Sequence, residues 1–218
     1  MAGNDYNELA KLKAVIFDYG EVLCHRPTPE QSVRLAGYFG LSVDELPKLW
    51  EKNRGAYDRG DLSSDAYWSM LAEDAGVQLA PGQIEEICEL DVAMWSGVNP
   101  SMVVWAADLR SLGLKVGVLS NMHPDMVAFC RKNFSWLDNF DTVTFSADVR
   151  LIKPDPAIYE HTLKGLGVNA REALFLDDRE VNVQAARKLG IHAIRVQSIP
   201  QLRRDLQSAG FSSFPADS

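Results

Sequence analysis

The chain of 218 residues has no apolar run approaching the roughly 20 residues that a membrane-spanning helix needs, so none is expected. It also lacks any block of Lys or Arg. Its 22 basic residues stand against 30 acidic ones, for a formal net charge of −8. A nucleic-acid partner calls for a basic surface, so this composition argues against one. Cysteine is scarce: Cys24, Cys88 and Cys130 are odd in number and scattered, without metal-type spacing. Reduced thiols in a cytoplasmic protein are the natural expectation. The opening segment "MAGNDYNELAKLK" has no apolar stretch leading to small residues and gives no expectation of a signal peptide. Internal repeats and low-complexity tracts are missing as well.

What the chain does have is 46% hydrophobic and 24% charged residues, enough for one sizeable core with a smaller attached domain. Five β-rich runs recur: "KAVIFDYG", "LKVGVLSN", "FDTVTFSAD", "ALFLDD" and "IHAIRVQ". Most are apolar at both alternate positions, as in strands buried on both faces. Between the later runs, apolar residues fall at helical spacing, as with Met102, Trp105, Ala106 and Leu109, or Ile158, Tyr159, Thr162 and Leu163. Gly113, Gly165, Gly167 and Gly190 lie near the ends of these helices, where glycine caps well. Strand alternating with helix predicts an α/β fold with a parallel, Rossmann-like sheet. The interval from Pro27 to Trp95 breaks this alternation. It reads as consecutive helices, one of them over "VDELPKLWEKNRGAYDRG", with Thr28, Ser42 (or Asp44), Ser63 and Pro81 as start signals. The expected division is an α/β core of 1–24 and 97–218 with a helical insert of 25–96. The tail "GFSSFPADS" is expected to be poorly ordered at its end.

In open parallel sheets, ligands bind beyond the carboxyl ends of the strands. The first run ends at Asp18 and the second at Ser120-Asn121; the third is followed by "VRLIKPDP", carrying Lys153; the fourth ends at Asp177-Asp178. Each has an ordinary structural explanation. Asp18 can start a turn, Ser120 and Asn121 can cap the helix over "HPDMVAF", Lys153 can lie at the surface, and Asp177-Asp178 can cap the next helix. Two adjacent carboxylates after a buried strand repel each other, however, and a cation is the usual remedy. Their joint occurrence in this strand order points to an active site.

The segments "FDYGEVL", "VLSN", "KPDPAIY" and "FLDDREVNV", in that order and spacing, resemble the four motifs of the haloacid dehalogenase superfamily of hydrolases. They span nearly all of the core, and the helical insert is similar to that family's cap domain. With the insert segment "YDRGDLSSDAYW", they resemble more narrowly a branch of sugar-phosphate phosphatases that includes alpha-D-glucose-1-phosphate phosphatase. The phosphatase domain of soluble epoxide hydrolases is a more distant likeness. The resemblance implies Mg²⁺-dependent hydrolysis of a small phosphorylated metabolite through an aspartyl-phosphate. Asp18 would be the nucleophile and a metal ligand, the Gly20 carbonyl a second ligand, and Asp178 the main carboxylate ligand, with Asp177 beside it or reached through water. Ser120 would donate to a phosphoryl oxygen with Asn121 nearby, and Lys153 would neutralise nucleophile and phosphoryl charge.

One departure stands out. Most phosphatases of the family carry an aspartate where this chain has Gly20; it protonates the leaving oxygen and is typically worth ~10²–10⁴ in rate. The glucose-1-phosphate branch has glycine there too. Either the leaving group needs no help, or Glu21, His25 or His123 substitutes, or the protein is a weak enzyme or a binder. Two other functions are therefore weighed. A 2-haloacid dehalogenase would show a tyrosine two places after the nucleophile and lack the acidic pair, whereas Tyr19 is one place after Asp18 and Asp177-Asp178 are both present. A non-catalytic phospho-ligand module draws its only support from Gly20. In the insert, Tyr57, Arg59 and Asp61 are candidates to face the site. Trp50 and Trp68 either line it or pack the insert's own core, with packing favoured. His25 and Arg26 are candidates to touch the leaving group, and Cys24 has no catalytic partner.

Overall fold

A computed structural model describes residues 12–216. Its centre is a five-stranded parallel sheet in the order β3-β2-β1-β4-β5. The strands are β1 (Ala14–Phe17), β2 (Lys115–Ser120), β3 (Thr142–Phe145), β4 (Ala173–Asp177) and β5 (His192–Arg195). All four residues of β1 are buried because the strand lies mid-sheet. Its side chains alternate between two apolar layers: Val15 and Phe17 join Trp105 and Leu109 on one face, and Ala14 and Ile16 join Ile158 and Leu163 on the other. The strand order reverses beside β1, which opens a crevice at the carboxyl edge between β1 and its neighbours.

The interval after β1 holds helices α1 (Pro29–Tyr38), α2 (Leu46–Trp50), α3 (Arg54–Asp58), α4 (Ser64–Ala75) and α5 (Gln83–Met94), and no strand. They enclose an apolar cluster of their own, with Leu35, Phe39, Trp68, Leu71 and Ile87 fully buried or nearly so. Thr28 caps α1 in a reciprocal capping box with Gln31, and the Ser63 hydroxyl accepts from the Ala66 N–H at the start of α4. Two expected starts differ. Ser42 is spent on the Glu45 carboxylate and α2 begins only at Leu46; α5 begins after Gly82. The single helix expected over residues 43–60 is broken between Trp50 and Arg54, so α2 and α3 are separate short helices.

The core helices are α6 (Pro100–Ser111), α7 (Pro124–Asn133), α8 (Ser146–Val149), α9 (Pro156–Leu166), α10 (Glu180–Lys188) and α11 (Ile199–Ser208). Gly167 caps α9 in the left-handed conformation. Gly165 is not a cap: it lies inside α9, where a Cβ would come 2.9 Å from Thr142 Cγ2, so its role is close helix–strand packing. In the tail, Phe211 and Phe214 pack on the core. Asp217 and Ser218, like residues 1–11 of the opening segment, lie outside the described residues. No described helix is long and apolar enough to cross a membrane.

The insert leaves and rejoins the core through paired linkers. His25 N–H donates to Gly97 O at 2.7 Å and Asn99 N–H to Leu23 O at 2.8 Å, flanking an antiparallel bridge between Cys24 and Val98. The insert also rests on the core through Arg150–Asp61 (2.5 Å), Arg179–Glu51 (3.4 Å) and His123–Asp91 (3.2 Å), and the Ser146 hydroxyl donates to the Asp58 carbonyl.

Candidate active site

The four sequence segments converge at the carboxyl edge of the sheet. Asp18 follows β1, and its N–H donates to Leu176 O at 2.8 Å, so register alone sets it beside Asp177 at the end of β4. Lys153 is 4% exposed and reaches both carboxylates, 2.9 Å from Asp18 Oδ1 and 2.7 Å from Asp177 Oδ2. A third bond, to Leu119 O at 3.0 Å, fixes the ammonium. The surface reading of Lys153 is thereby set aside.

Ser120 and Asn121 are not helix caps either. Helix α7 starts at Pro124, with His123 in the cap position and no side-chain cap bond. Asn121 instead clasps the lysine loop from both sides: its Nδ2 donates to Lys153 O at 2.9 Å and its Oδ1 accepts from Lys153 N–H at 2.8 Å. Asp177 is fully committed. Its Oδ1 accepts from Arg179 N–H and its two oxygens share the Asn182 amide, while Lys153 takes Oδ2. Asp178 has no ion pair among the described residues and faces the cavity.

Asp18, Asp177 and Asp178 can each present an oxygen within 4.8 Å of one another. Three carboxylates against one ammonium leave two negative charges unbalanced. Burial pushes the Asp18 carboxyl up to about 7, with Asp177 and Asp178 adding to the rise and Lys153 opposing it. Burial and the neighbouring Asp177 push Asp178 up to about 6. Burial works against the Lys153 charge, but Asp177 and Asp18 hold the ammonium above its usual range. The donor set, hard oxygens with an unmet charge of two, therefore fits a divalent cation of the magnesium type.

These shifts carry a sign. Both carboxyls are raised above the unfolded value of 3.8, so their contribution to stability is present below that value and is lost as pH climbs through 6 and 7. In EDTA, Asp178→Asn is expected to melt higher than the parent at about pH 8, with the advantage fading towards about pH 4. An equal advantage at both pH values would contradict this account of charge strain.

A cavity of about 430 Å³ lies over the carboxylates. From the core it is lined by Asp18, Ser120, Asn121, Lys153 and Asp178, and from the insert by Trp50, Glu51, Arg54 and Asp58. Tyr57, Arg59 and Asp61 do not line it. Tyr57 is buried in the insert and stacks on the His123 ring, while Arg59 and Asp61 pair with each other at the surface. Of the two tryptophans, Trp68 packs inside the insert and only Trp50 reaches the cavity, with the Arg54 guanidinium 5.2 Å from its ring centroid. His25 is outside the cavity, and Arg26 is held by Glu21 at 2.5 Å. The Cys24 thiol is pushed up to about 12 by burial and supplies no thiolate.

Sequence reasoning missed Arg54, Asp58, Asp91 and Asn182. Signals for each were present. Arg54 and Asp58 are an i,i+4 pair bonded at 2.9 Å; Asp91 sits on the apolar face of α5 with Ile87, Leu90 and Met94; Asn182 lies one turn into α10, inside the quoted "FLDDREVNV".

An open parallel sheet with a lysine-centred acidic site at its switch point defines an α/β enzyme fold of the Rossmann type. The chain belongs to the haloacid dehalogenase-like hydrolases, whose family profile matches residues 12–190. It is 30% identical over 183 residues to a sesquiterpene phosphatase of Aspergillus oryzae, covering 82% of this chain and 87% of that protein. It is 35% identical over 208 residues to an (S)-2-haloacid dehalogenase of Xanthobacter autotrophicus, covering 90% of this chain and 80% of that one. Among solved structures, a family enzyme of Bacteroides thetaiotaomicron in complex with magnesium and inorganic phosphate shares the fold, with a TM-score of 0.69 at 20% identity over 85% of this chain and 94% of that one.

Proposed function

We propose that the protein is a Mg²⁺-dependent phosphatase of small phosphomonoesters, with sugar phosphates as the first candidates. The observation that carries this reading is the acidic triplet around Lys153. A displacement at carbon needs Asp177 only to hold Lys153 and gives Asp178 no task, whereas phosphoryl transfer uses positive charge gathered against both.

Asp18 would attack phosphorus in line, forming an aspartyl-phosphate that water then cleaves. Asp18, Asp178 and the Gly20 carbonyl would hold the metal, with Asp177 behind them keeping Lys153 and the β4 loop in place. Magnesium, when bound, supplies charge stabilisation to the phosphoryl oxygens. Ser120 would donate its hydroxyl to one phosphoryl oxygen. Lys153 would balance the charge that the phosphoryl group brings, and the Asn121 clasp would keep lysine and serine in fixed relation. The insert would act as the cap, excluding water and meeting the rest of the substrate with Trp50, Glu51, Arg54 and Asp58. Three charged groups on that wall favour a hydroxylated substrate over a prenyl one, and a cavity of about 430 Å³ suits a molecule of hexose-phosphate size. Unpaired thiols accord with a cytoplasmic setting.

The test is a turnover screen over sugar phosphates and an aryl phosphate, with Mg²⁺ and with EDTA. Activity should fall at least ~10²-fold in EDTA and return with Mg²⁺. Turnover indifferent to EDTA, or chloride release from a 2-chloroacid, would overturn the proposal.

A further inference from the structure

Glycine at position 20 removes the usual proton donor, yet the backbone does not require it. Gly20 has φ −60° and ψ 126°, and an added Cβ would meet only the Trp95 ring, at 3.9 Å. The backbone there admits a side-chain Cβ and the acid is nonetheless absent, which raises the question of what protonates the leaving oxygen.

The three sequence-near candidates separate cleanly. Glu21 also lines the cavity, but its carboxylate is turned to Arg26 at 2.5 Å, and His25 lies outside the cavity. His123 lines the cavity and is 1% exposed. It stands two residues after Asn121, so the two Cα atoms are at most ~7 Å apart. Its Nε2 is 3.2 Å from Asp91 Oδ2, and Asp91 is fully buried. Its ring stacks on Tyr57 with centroids 4.5 Å apart and planes 19° apart. Neither Nδ1 nor Nε2 has a hydrogen-bond partner in this buried position, so Asp91 lies at ion-pair distance from the ring without a hydrogen bond to it. A histidine packed on one face, with a buried carboxylate beside one nitrogen and the other nitrogen uncommitted, has the layout of a general acid and base.

We propose that His123, oriented by Asp91, is the proton donor and acceptor that replaces the acid absent at position 20. This rests on the phosphatase reading of the site. In the first half-reaction Asp18 bonds to phosphorus, the ester P–O bond breaks, and the imidazolium proton goes to the departing oxygen, releasing an alcohol. In the second, neutral His123 takes a proton from the attacking water, the acyl-phosphate P–O bond breaks, and Asp18, phosphate and imidazolium are regenerated. Because Asp91 and Tyr57 belong to the insert, the donor is complete only when the insert rests on the core, which couples acid catalysis to closure.

The experiment uses the full chain with Mg²⁺. Turnover is compared on p-nitrophenyl phosphate, whose leaving group needs little protonation, and on an alkyl sugar phosphate. His123→Gln should lose ~10²–10⁴ on the alkyl ester and far less on the aryl one. Asp91→Asn should shift the same ratio in the same direction. Gly20→Asp in the His123→Gln background should recover alkyl turnover. In the parent, rate should depend only shallowly on leaving-group basicity, a measurement that stands even where His123→Gln does not fold. Equal losses on both esters, no loss, or a steep dependence already in the parent would overturn the assignment while leaving the phosphatase reading intact. Absence of parent turnover on every phosphate would overturn that reading and the assignment with it.

Discussion

Asp18→Asn should reduce turnover by ~10⁴–10⁶, the scale seen when a nucleophile is removed from a site whose other groups remain. The amide keeps the size of the carboxylate, and its oxygen can still accept the bond from the Tyr19 N–H, 2.7 Å long in the parent. What it loses is the electron pair that, on the proposed mechanism, would attack phosphorus. The variant should not be less stable: the parent carboxyl is pushed up to about 7 by burial, so a neutral group relieves strain in the metal-free state. Two readouts check this. Steady-state turnover gives the size of the loss, and acid quench with intact-mass measurement should find a phosphorylated species in the parent alone. Turnover within tenfold of the parent would remove Asp18 from the chemistry. A parent without turnover, and a variant with undiminished phosphate affinity, would mark a phospho-ligand binder instead.

Lys153→Met should be the most damaging change to folding and activity together. The ammonium is the only cation bonded to Asp18 and Asp177 among the described side chains, and all three groups are buried. Removing one member of a buried ionic cluster typically costs about 3–5 kcal/mol, because the remaining charges have no solvent to turn to. The carboxylates can escape part of that cost by taking up protons, so the deficit should shrink at low pH. Turnover should fall by ~10²–10³ from lost charge stabilisation of the phosphoryl group. Chemical denaturation at two pH values and turnover at saturating substrate test both halves. A variant equally destabilised at both pH values would show that the lysine matters by packing rather than by charge.

The parts of the site carried by strand ends were legible in the sequence, because a short continuous apolar run announces its own carboxyl end. Asp18, Ser120 and Asp177 needed only that inference and the rule for where parallel sheets bind ligands. Lys153 was harder: a loop lysine has no period, and only the company of the other three segments singled it out. The cavity wall contributed by the insert was not legible. Which face a short helix turns inward depends on what packs around it, and the break between α2 and α3 sent Trp50 and Arg54 to the cavity and Tyr57 to the interior. Reading 43–60 as one helix hid that division. Asp91 was visible as a charge on an apolar stripe, but its partner His123 is 32 positions downstream in the chain and could not be paired with it from spacing.

The paired linkers at Cys24 and Val98 have a wider meaning. Because the two ends of the insert are already bonded to each other, the sheet sees the interval between them as little more than a tight turn, and its length adds little to the entropy of closing the chain. The covalent junction between core and insert is thus confined to one short seam, while Asp61, Glu51, Asp58 and Asp91 hold the insert against the core elsewhere. A different bundle grafted at that seam would inherit the carboxylates and the lysine, but it would have to supply its own partners for His123 in place of Asp91 and Tyr57.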